Sequence, residues 1–89
     1  MKILENTARD LKRYGLPVAK IIPPENATMD GIIVLAQTDT SDVHLQVGEG
    51  YFFLCATNDG EVTFINEDAE ELYQIVEQAK QAIAILSLA

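Results

Sequence analysis

Four short apolar runs, joined by connections of only a few residues, constrain the fold of this chain more than any other feature. They are "GIIVLAQT" (31–38), "DVHLQVG" (42–48), "GYFFLCAT" (50–57) and "EVTFIN" (61–66). Each has the length of a strand, and most are rich in β-branched or aromatic residues. Because a parallel connection needs a dozen or more residues, neighbouring strands joined this closely have to be antiparallel. The sequence therefore predicts an antiparallel meander.

The residues before these runs predict a short helix and an edge strand. Residues 3–14 place Ile3, Leu4, Ala8, Leu11 and Tyr14 at helical spacing. Gly15 follows at the position where a left-handed C-terminal cap is expected. The run "LPVAKII" (16–22) favours an extended strand, and Pro17 places that strand at the edge of a sheet because proline cannot donate a ladder hydrogen bond.

The last segment, "NEDAEELYQIVEQAKQAIAILSLA", is typical of a long helix. Asn66 is a good N-cap, and the acids that follow it suit the positive end of a helix dipole. One stripe faces the sheet at spacings of three and four residues: Ala69, Leu72, Val76, Ala79, Ile83 and Leu86. We therefore expect a single two-layer α+β domain over residues 1–89, with an antiparallel sheet of about five strands, a short N-terminal helix and a long C-terminal helix across the sheet.

The turn Asn58-Asp59-Gly60 predicts which strand residues share a face. A three-residue loop with Gly60 left-handed pairs Thr57 with Glu61 and gives a clean apolar face. The residues expected on that face are Phe52, Leu54, Ala56, Val62, Phe64, Val43, Leu45 and Val47, with Ile32, Val34 and Ala36 added if residues 39–42 form the preceding loop. The other face is mixed, with Ile33, Leu35, Tyr51, Phe53, Cys55 and Ile65. We expect the N-terminal helix or a second subunit to cover it.

The charge is strongly negative and unevenly distributed. The net charge is -8, and no Lys or Arg occurs between Lys20 and Lys80. Such a field repels nucleic acid and anionic membranes and attracts basic proteins, although acidic side chains also serve solubility alone. The acids expected to form the interaction surface are Asp59, Glu61, Glu67, Asp68, Glu70 and Glu71. No segment reaches the length of a membrane span and no secretory signal is evident, so we expect a cytoplasmic protein with neither membrane nor direct nucleic-acid contacts.

The C-terminus offers a second interaction surface. From Ala82 onward the sequence "AIAILSLA" is apolar on every side. A helix of more than twenty residues would extend beyond the strands, and an exposed apolar end suits a partner. We therefore expect Ile85, Leu86 and Leu88 to contribute to a homodimer. The alternative is that the last six residues form a strand or a disordered tail.

Chemistry-bearing residues are few. His44 and Cys55 are the only residues that resemble a base and a nucleophile, and they fall opposite each other if Gly48 pairs with Tyr51. No carboxylate is clearly placed to orient the imidazole, and a lone cysteine in a strand is usually a small apolar residue. The acids of residues 39–42 and 58–61 could approach a divalent cation, but turns select such residues for backbone reasons. No cofactor motif is present.

The function that these features favour is non-catalytic. We expect a small acidic interaction module, homodimeric, that binds or inhibits a basic protein in the manner of an inhibitor, an antitoxin, an immunity protein or a nucleic-acid mimic. The alternative is a small-ligand binder or thiol enzyme that uses the sheet face around His44 and Cys55. A purely structural accessory subunit would differ from the first class by a weak dependence of its binding on salt.

Overall fold

Five antiparallel strands, hydrogen-bonded in chain order, form the sheet that the short connections predict. The computed structural model describes residues 2–24, 31–48 and 50–88, without the side chains of residues 2, 63–68 and 86–88. The elements are α1 (Lys2–Arg13), β1 (Lys20–Ile22), β2 (Gly31–Gln37), β3 (Ser41–Gly48), β4 (Tyr51–Asn58), β5 (Glu61–Ala69) and α2 (Tyr73–Leu88). The predicted α+β class, the meander and the edge position of β1 are confirmed.

Both helices pack on the same face of the sheet. The buried residues of α1 and α2 form one cluster with those of the central strands. Its members are Leu4, Ala8, Leu11, Leu16, Ile33, Leu35, Val43, Leu45, Val47, Leu54, Ala56, Ala69, Leu72, Ile75, Val76 and Ala79. The N-terminal helix therefore does not cover the second face, because its apolar stripe is already used on the first.

The end of α1 has the predicted left-handed cap. Gly15 has a φ of +87°, a value that residues with a Cβ seldom adopt. The Gly15 N–H donates to the Lys12 carbonyl at 3.0 Å, and the Leu16 N–H donates to the Leu11 carbonyl at 3.0 Å. These two bonds are the Schellman pattern, and they satisfy carbonyls that a helix end leaves without partners. Leu16 is buried as a result, so the chain leaves the helix directly into the core.

The hairpin between β4 and β5 corrects the predicted register. Asp59 and Gly60 have φ values of 54° and 81°, which makes a two-residue loop that pairs Asn58 with Glu61. The three-residue loop was wrong because Asp, like Gly, tolerates the left-handed conformation. The extra residue is accommodated inside the strand instead, where the register shifts. Val62 therefore leaves the predicted apolar face and is 54% exposed.

The face assigned to β2 was also wrong. Ile33 and Leu35 are in the core, and Ile32, Val34 and Ala36 are outside the buried cluster. The cause is the register with β3, in which Gln37 pairs with Asp42 and an irregularity follows at Leu35. Because side chains alternate along a strand, a register change of one residue exchanges the two faces. The predicted core positions on β3 and the central part of β4 are confirmed.

The boundary between β5 and α2 lies later than the acid run suggests. β5 continues to Ala69, which pairs with Phe52, and α2 begins only at Tyr73. Asn66 is therefore a strand residue, and the first turn of α2 contains no acid. The physical reason is that the start of β4 also needs backbone partners, and a β5 ending at residue 66 would leave them missing. The side chain of Gln74 takes the capping role, since its Oε1 accepts bonds from the N–H groups of Glu70 and Glu71 at 3.0 and 3.1 Å.

The later start shortens α2 and removes the length argument for an overhang. Its 16 residues span about 24 Å, close to the length of an eight-residue strand. The predicted stripe is confirmed at Leu72, Val76 and Ala79, whereas the fully buried Ile75 was missed. The helix continues to Leu88, so the alternative of a terminal strand or tail was wrong.

Candidate functional site

The second face of the sheet carries the pair on which the thiol hypothesis depends. His44 lies opposite Cys55, as predicted from the pairing of Gly48 with Tyr51, which is observed. Val34 lies on the other side of His44 in the same row. Cys55 and Val34 are both 6% exposed, and His44 is half-buried. The row therefore places an imidazole between two buried apolar neighbours.

A carboxylate orients this imidazole, which the sequence interpretation did not foresee. The Oδ1 atom of Asp42 lies 2.7 Å from Nδ1 of His44, so the ring N–H donates to the carboxylate. The two residues are two apart on β3 and therefore share a face. That spacing was the available signal in the sequence. The spacing was not used, because Asp42 was the first residue of the predicted strand and was also considered part of a loop over residues 39–42, whereas β3 begins at Ser41.

The thiol of Cys55 is not activated by this arrangement. Burial raises the pKa of Cys55, and the negative charge of Asp42 raises that pKa further. Among the described residues, no hydrogen bond joins the sulfur to His44. A thiolate is the nucleophilic form of cysteine, and a raised pKa lowers its fraction at neutral pH. Asp42, His44 and Cys55 thus lie on the same face and have the side chains of a catalytic triad, but the raised pKa of Cys55 weighs against thiolate chemistry.

Two turns meet at one end of the sheet and bring acids together. The Oγ of Ser41 donates to Oδ1 of Asn58, and the N–H of Asp59 donates to the carbonyl of Thr40 at 2.8 Å. These bonds join the β2–β3 turn to the β4–β5 turn. The acids on these turns and on the strand ends beside them are Asp39, Asp42, Asp59 and Glu61, which we call the acidic end. Asp59 and Glu61 were predicted interaction residues, whereas Asp39 and Asp42 were considered beside them only as cation ligands.

The other predicted acids do not join the acidic end. Glu70 and Glu71 are exposed beyond the far end of β5, roughly 25 Å away along that strand. Glu67 and Asp68 lie in β5, and their side chains are outside the described part of the structure. Glu61 and the pair Glu70 and Glu71 therefore lie on separate surfaces, because they are at opposite ends of β5.

A groove between the two helices was not predicted. It has a volume of about 430 Å³ and lies where the last turns of α1 meet the start of α2. Its lining residues are Asp10, Arg13, Tyr14, Glu71, Leu72 and Tyr73. Only the tertiary structure brings these two segments together, so no local sequence pattern could have revealed the groove.

The C-terminal part of α2 exposes apolar surface, as its composition predicted. Ile83 still packs against the core, whereas Ile85 is 69% exposed. The side chains of Leu86 and Leu88 lie outside the described residues, so their predicted contribution to a dimer stays a prediction. Ile85 is thus the described apolar side chain that a partner could cover at this end.

In residues 2–24, 31–48 and 50–88, no group of three His, Cys, Asp or Glu is placed to hold a metal ion. Within the same ranges, no helix combines the length and the apolar character needed to cross a membrane. The acidic end is therefore a charged surface without a preformed cation site among its described residues.

Comparison with protein families, with characterised proteins and with solved structures found no match for this chain.

Proposed function

We propose that this chain is a non-catalytic interaction module that binds a basic protein through the acidic end. The partner presents lysine and arginine side chains to Asp39, Asp59 and Glu61. Binding of this kind suits an inhibitor, an antitoxin-like or immunity-like protein, or a mimic of nucleic-acid charge. Each of these covers a basic surface that otherwise acts on another molecule.

The single observation that carries the proposal is the joining of the two turns. The Ser41–Asn58 contact and the Thr40–Asp59 bond join the turn that carries Asp39 to the turn that carries Asp59, so these charges lie at the same end of the sheet. Like charges held together raise the local negative potential, and no Lys or Arg between Lys20 and Lys80 offsets it. The Ser41 side chain is buried, so this junction is a fixed part of the fold.

The exposure of the acids on this surface also suits binding to a charged partner. Asp39, Asp59 and Glu61 are all exposed, so a partner can reach them without rearranging the core. One carboxylate oxygen of Asp42 already pairs with His44, so Asp42 contributes to the negative potential of the surface more than to direct contacts with a partner. Exposed charges give association rate and specificity more than raw affinity, and their effect weakens with salt.

We further propose that the molecule pairs with a second copy through the C-terminal part of α2. The supporting observation is the 69% exposure of Ile85 on an otherwise apolar helix end. Burial of such side chains against a second copy removes apolar area from water. A dimer would also present two acidic ends to the same basic partner.

A ligand binder or thiol enzyme at His44 and Cys55 is the second candidate. The hydrogen bond from His44 to Asp42 favours it, because a fixed imidazole is the usual companion of a nucleophile. The raised pKa of Cys55 weighs against it. We therefore rank it below the interaction module.

The proposal is tested by capture of proteins from an extract of the native host at low and high salt. The double variant Asp59→Asn/Glu61→Gln removes two charges from the acidic end, and Asn retains the left-handed conformation of residue 59. The matched variant Glu5→Gln/Glu77→Gln removes two exposed charges from the helices. The proposal expects a basic protein that is captured at low salt, released at high salt and lost only with the first variant. Equal capture by both variants would contradict it.

A further inference from the structure

The groove between α1 and α2 combines aromatic and acidic side chains. Tyr14, directly after α1, and Tyr73, the first residue of α2, line it and are 43% and 63% exposed. Asp10 and Glu71 line the same space. Exposed aromatic rings beside carboxylates are the surroundings that favour a cation, since the ring face and the carboxylate both attract positive charge.

Arg13 already places one cationic side chain in the groove. Arg13 Nη1 lies 3.8 Å from Asp10 Oδ1, and both side chains are well exposed. In the described residues no ion pair involves the carboxylate of Glu71. Its backbone N–H is held by Gln74, which fixes the residue at the rim of the groove. The lining residues include two acids and one base, and the Lys80 ammonium lies close by, 4.0 Å from the Cβ position of Gly15, so the negative charge offered to a further cation is that of Glu71.

We propose that this groove binds an arginine side chain of the basic partner, stacked on Tyr73 or Tyr14 and paired with Glu71. This inference rests on the proposed function and names a second contact for the same partner. Arginine is favoured over lysine because its planar guanidinium stacks on an aromatic face and pairs with a carboxylate at the same time. A volume of about 430 Å³ accommodates such a side chain.

The test is a titration of the intact ¹⁵N-labelled protein with a blocked Gly-Arg-Gly peptide, followed by the amide shifts of residues 10–14 and 71–73. We expect saturable shifts there. The matching peptide with citrulline, which keeps the shape of arginine without its charge, should give none. Tyr73→Ala should weaken binding about two- to fivefold. Tyr73→Phe should retain it, because the ring is kept. Glu71→Gln should weaken it independently.

The outcomes separate this inference from the proposed function. Shifts confined to residues 39–42 and 58–61 would overturn the groove as the arginine site and leave the acidic end as the basic surface. Equal shifts with the citrulline peptide, or binding unchanged in both Tyr73→Ala and Glu71→Gln, would also overturn it. Absence of shifts anywhere would reject the groove, while the capture experiment would still decide whether the acidic end binds a basic protein.

Discussion

At the scale of single residues, Asp42 has the largest unforeseen role. It orients His44 and adds negative charge near Cys55, so one carboxylate acts on both members of the proposed dyad. The sequence placed His44 opposite Cys55 correctly because the pairing of Gly48 with Tyr51 sets that register. The two-residue spacing of Asp42 and His44 predicts that they share a face once Asp42 is assigned to the strand rather than to the preceding loop.

The charge of Asp42 should slow the reaction of Cys55 with alkylating agents. Asp42→Asn removes that charge, so the pKa of Cys55 should fall and the alkylation rate at a fixed pH should rise. The measurement is the rate of reaction with iodoacetamide in the native protein. Asp39→Asn is the matched control and should leave the rate unchanged. A slower reaction of Asp42→Asn would contradict the account.

The same thiol should make the folded state less stable at alkaline pH. Its pKa is raised above the ordinary value of 9.0, so the folded chain holds the proton more tightly than the unfolded chain. The contribution to stability is fully present below pH 9 and is lost as the pH rises through the folded-state pKa. Urea unfolding from pH 8 upward should show a smaller decline in Cys55→Ala than in the native sequence. A parallel decline in both would rule out this linkage.

At the scale of elements, local sequence signals predicted whether a segment forms a helix or a strand better than they predicted the residues at which it begins and ends. Gly15 marked the end of α1, and short connections dictated the meander. The register of β2 and β5 failed because irregularities inside strands leave little trace in an alternating pattern. The start of α2 failed because the acids after Asn66 resemble a helix N-terminus, whereas β5 continues to Ala69, which pairs with Phe52.

Two isoleucines of α2 should differ sharply in their contribution to stability. Ile75 has no exposed surface, whereas Ile85 is 69% exposed. Ile75→Ala should lower the free energy of unfolding by about 2–5 kcal/mol, because a buried cavity results. Ile85→Ala should change it by less than about 0.5 kcal/mol in the dissociated molecule. Urea unfolding at low protein concentration measures both, and similar losses would contradict the described orientation of α2.

At the scale of the whole molecule, the two helices among the described residues pack on one face of the sheet. The row of Val34, His44 and Cys55 lies on the opposite face. The surfaces proposed for partners lie elsewhere, at the joined turns, between the helices and at the end of α2. The sequence predicts two interaction surfaces, one acidic and one at the apolar C-terminal end. It could not predict that β5 separates the acids, since that depends on where the strand ends.

The proposed dimer should depend on Ile85. Ile85→Glu places a charge in the contact without disturbing the core, because the native side chain is mostly exposed. Light scattering after size exclusion should show a dimer for the native protein and a monomer for the variant at micromolar concentration. Glu77→Ile, a substitution at another exposed position of α2, should remain dimeric. A native protein that is already monomeric would contradict the dimer.

The most direct test of the central claim is the salt dependence of affinity for the captured basic protein. We expect the dissociation constant of the native chain to rise steeply with salt. Asp59→Asn/Glu61→Gln should bind more weakly at low salt and depend less on salt, whereas Glu5→Gln/Glu77→Gln should retain both the affinity and the slope. Affinity that is independent of salt, or an equal loss in the two double variants, would contradict the assignment of the acidic end as the binding surface.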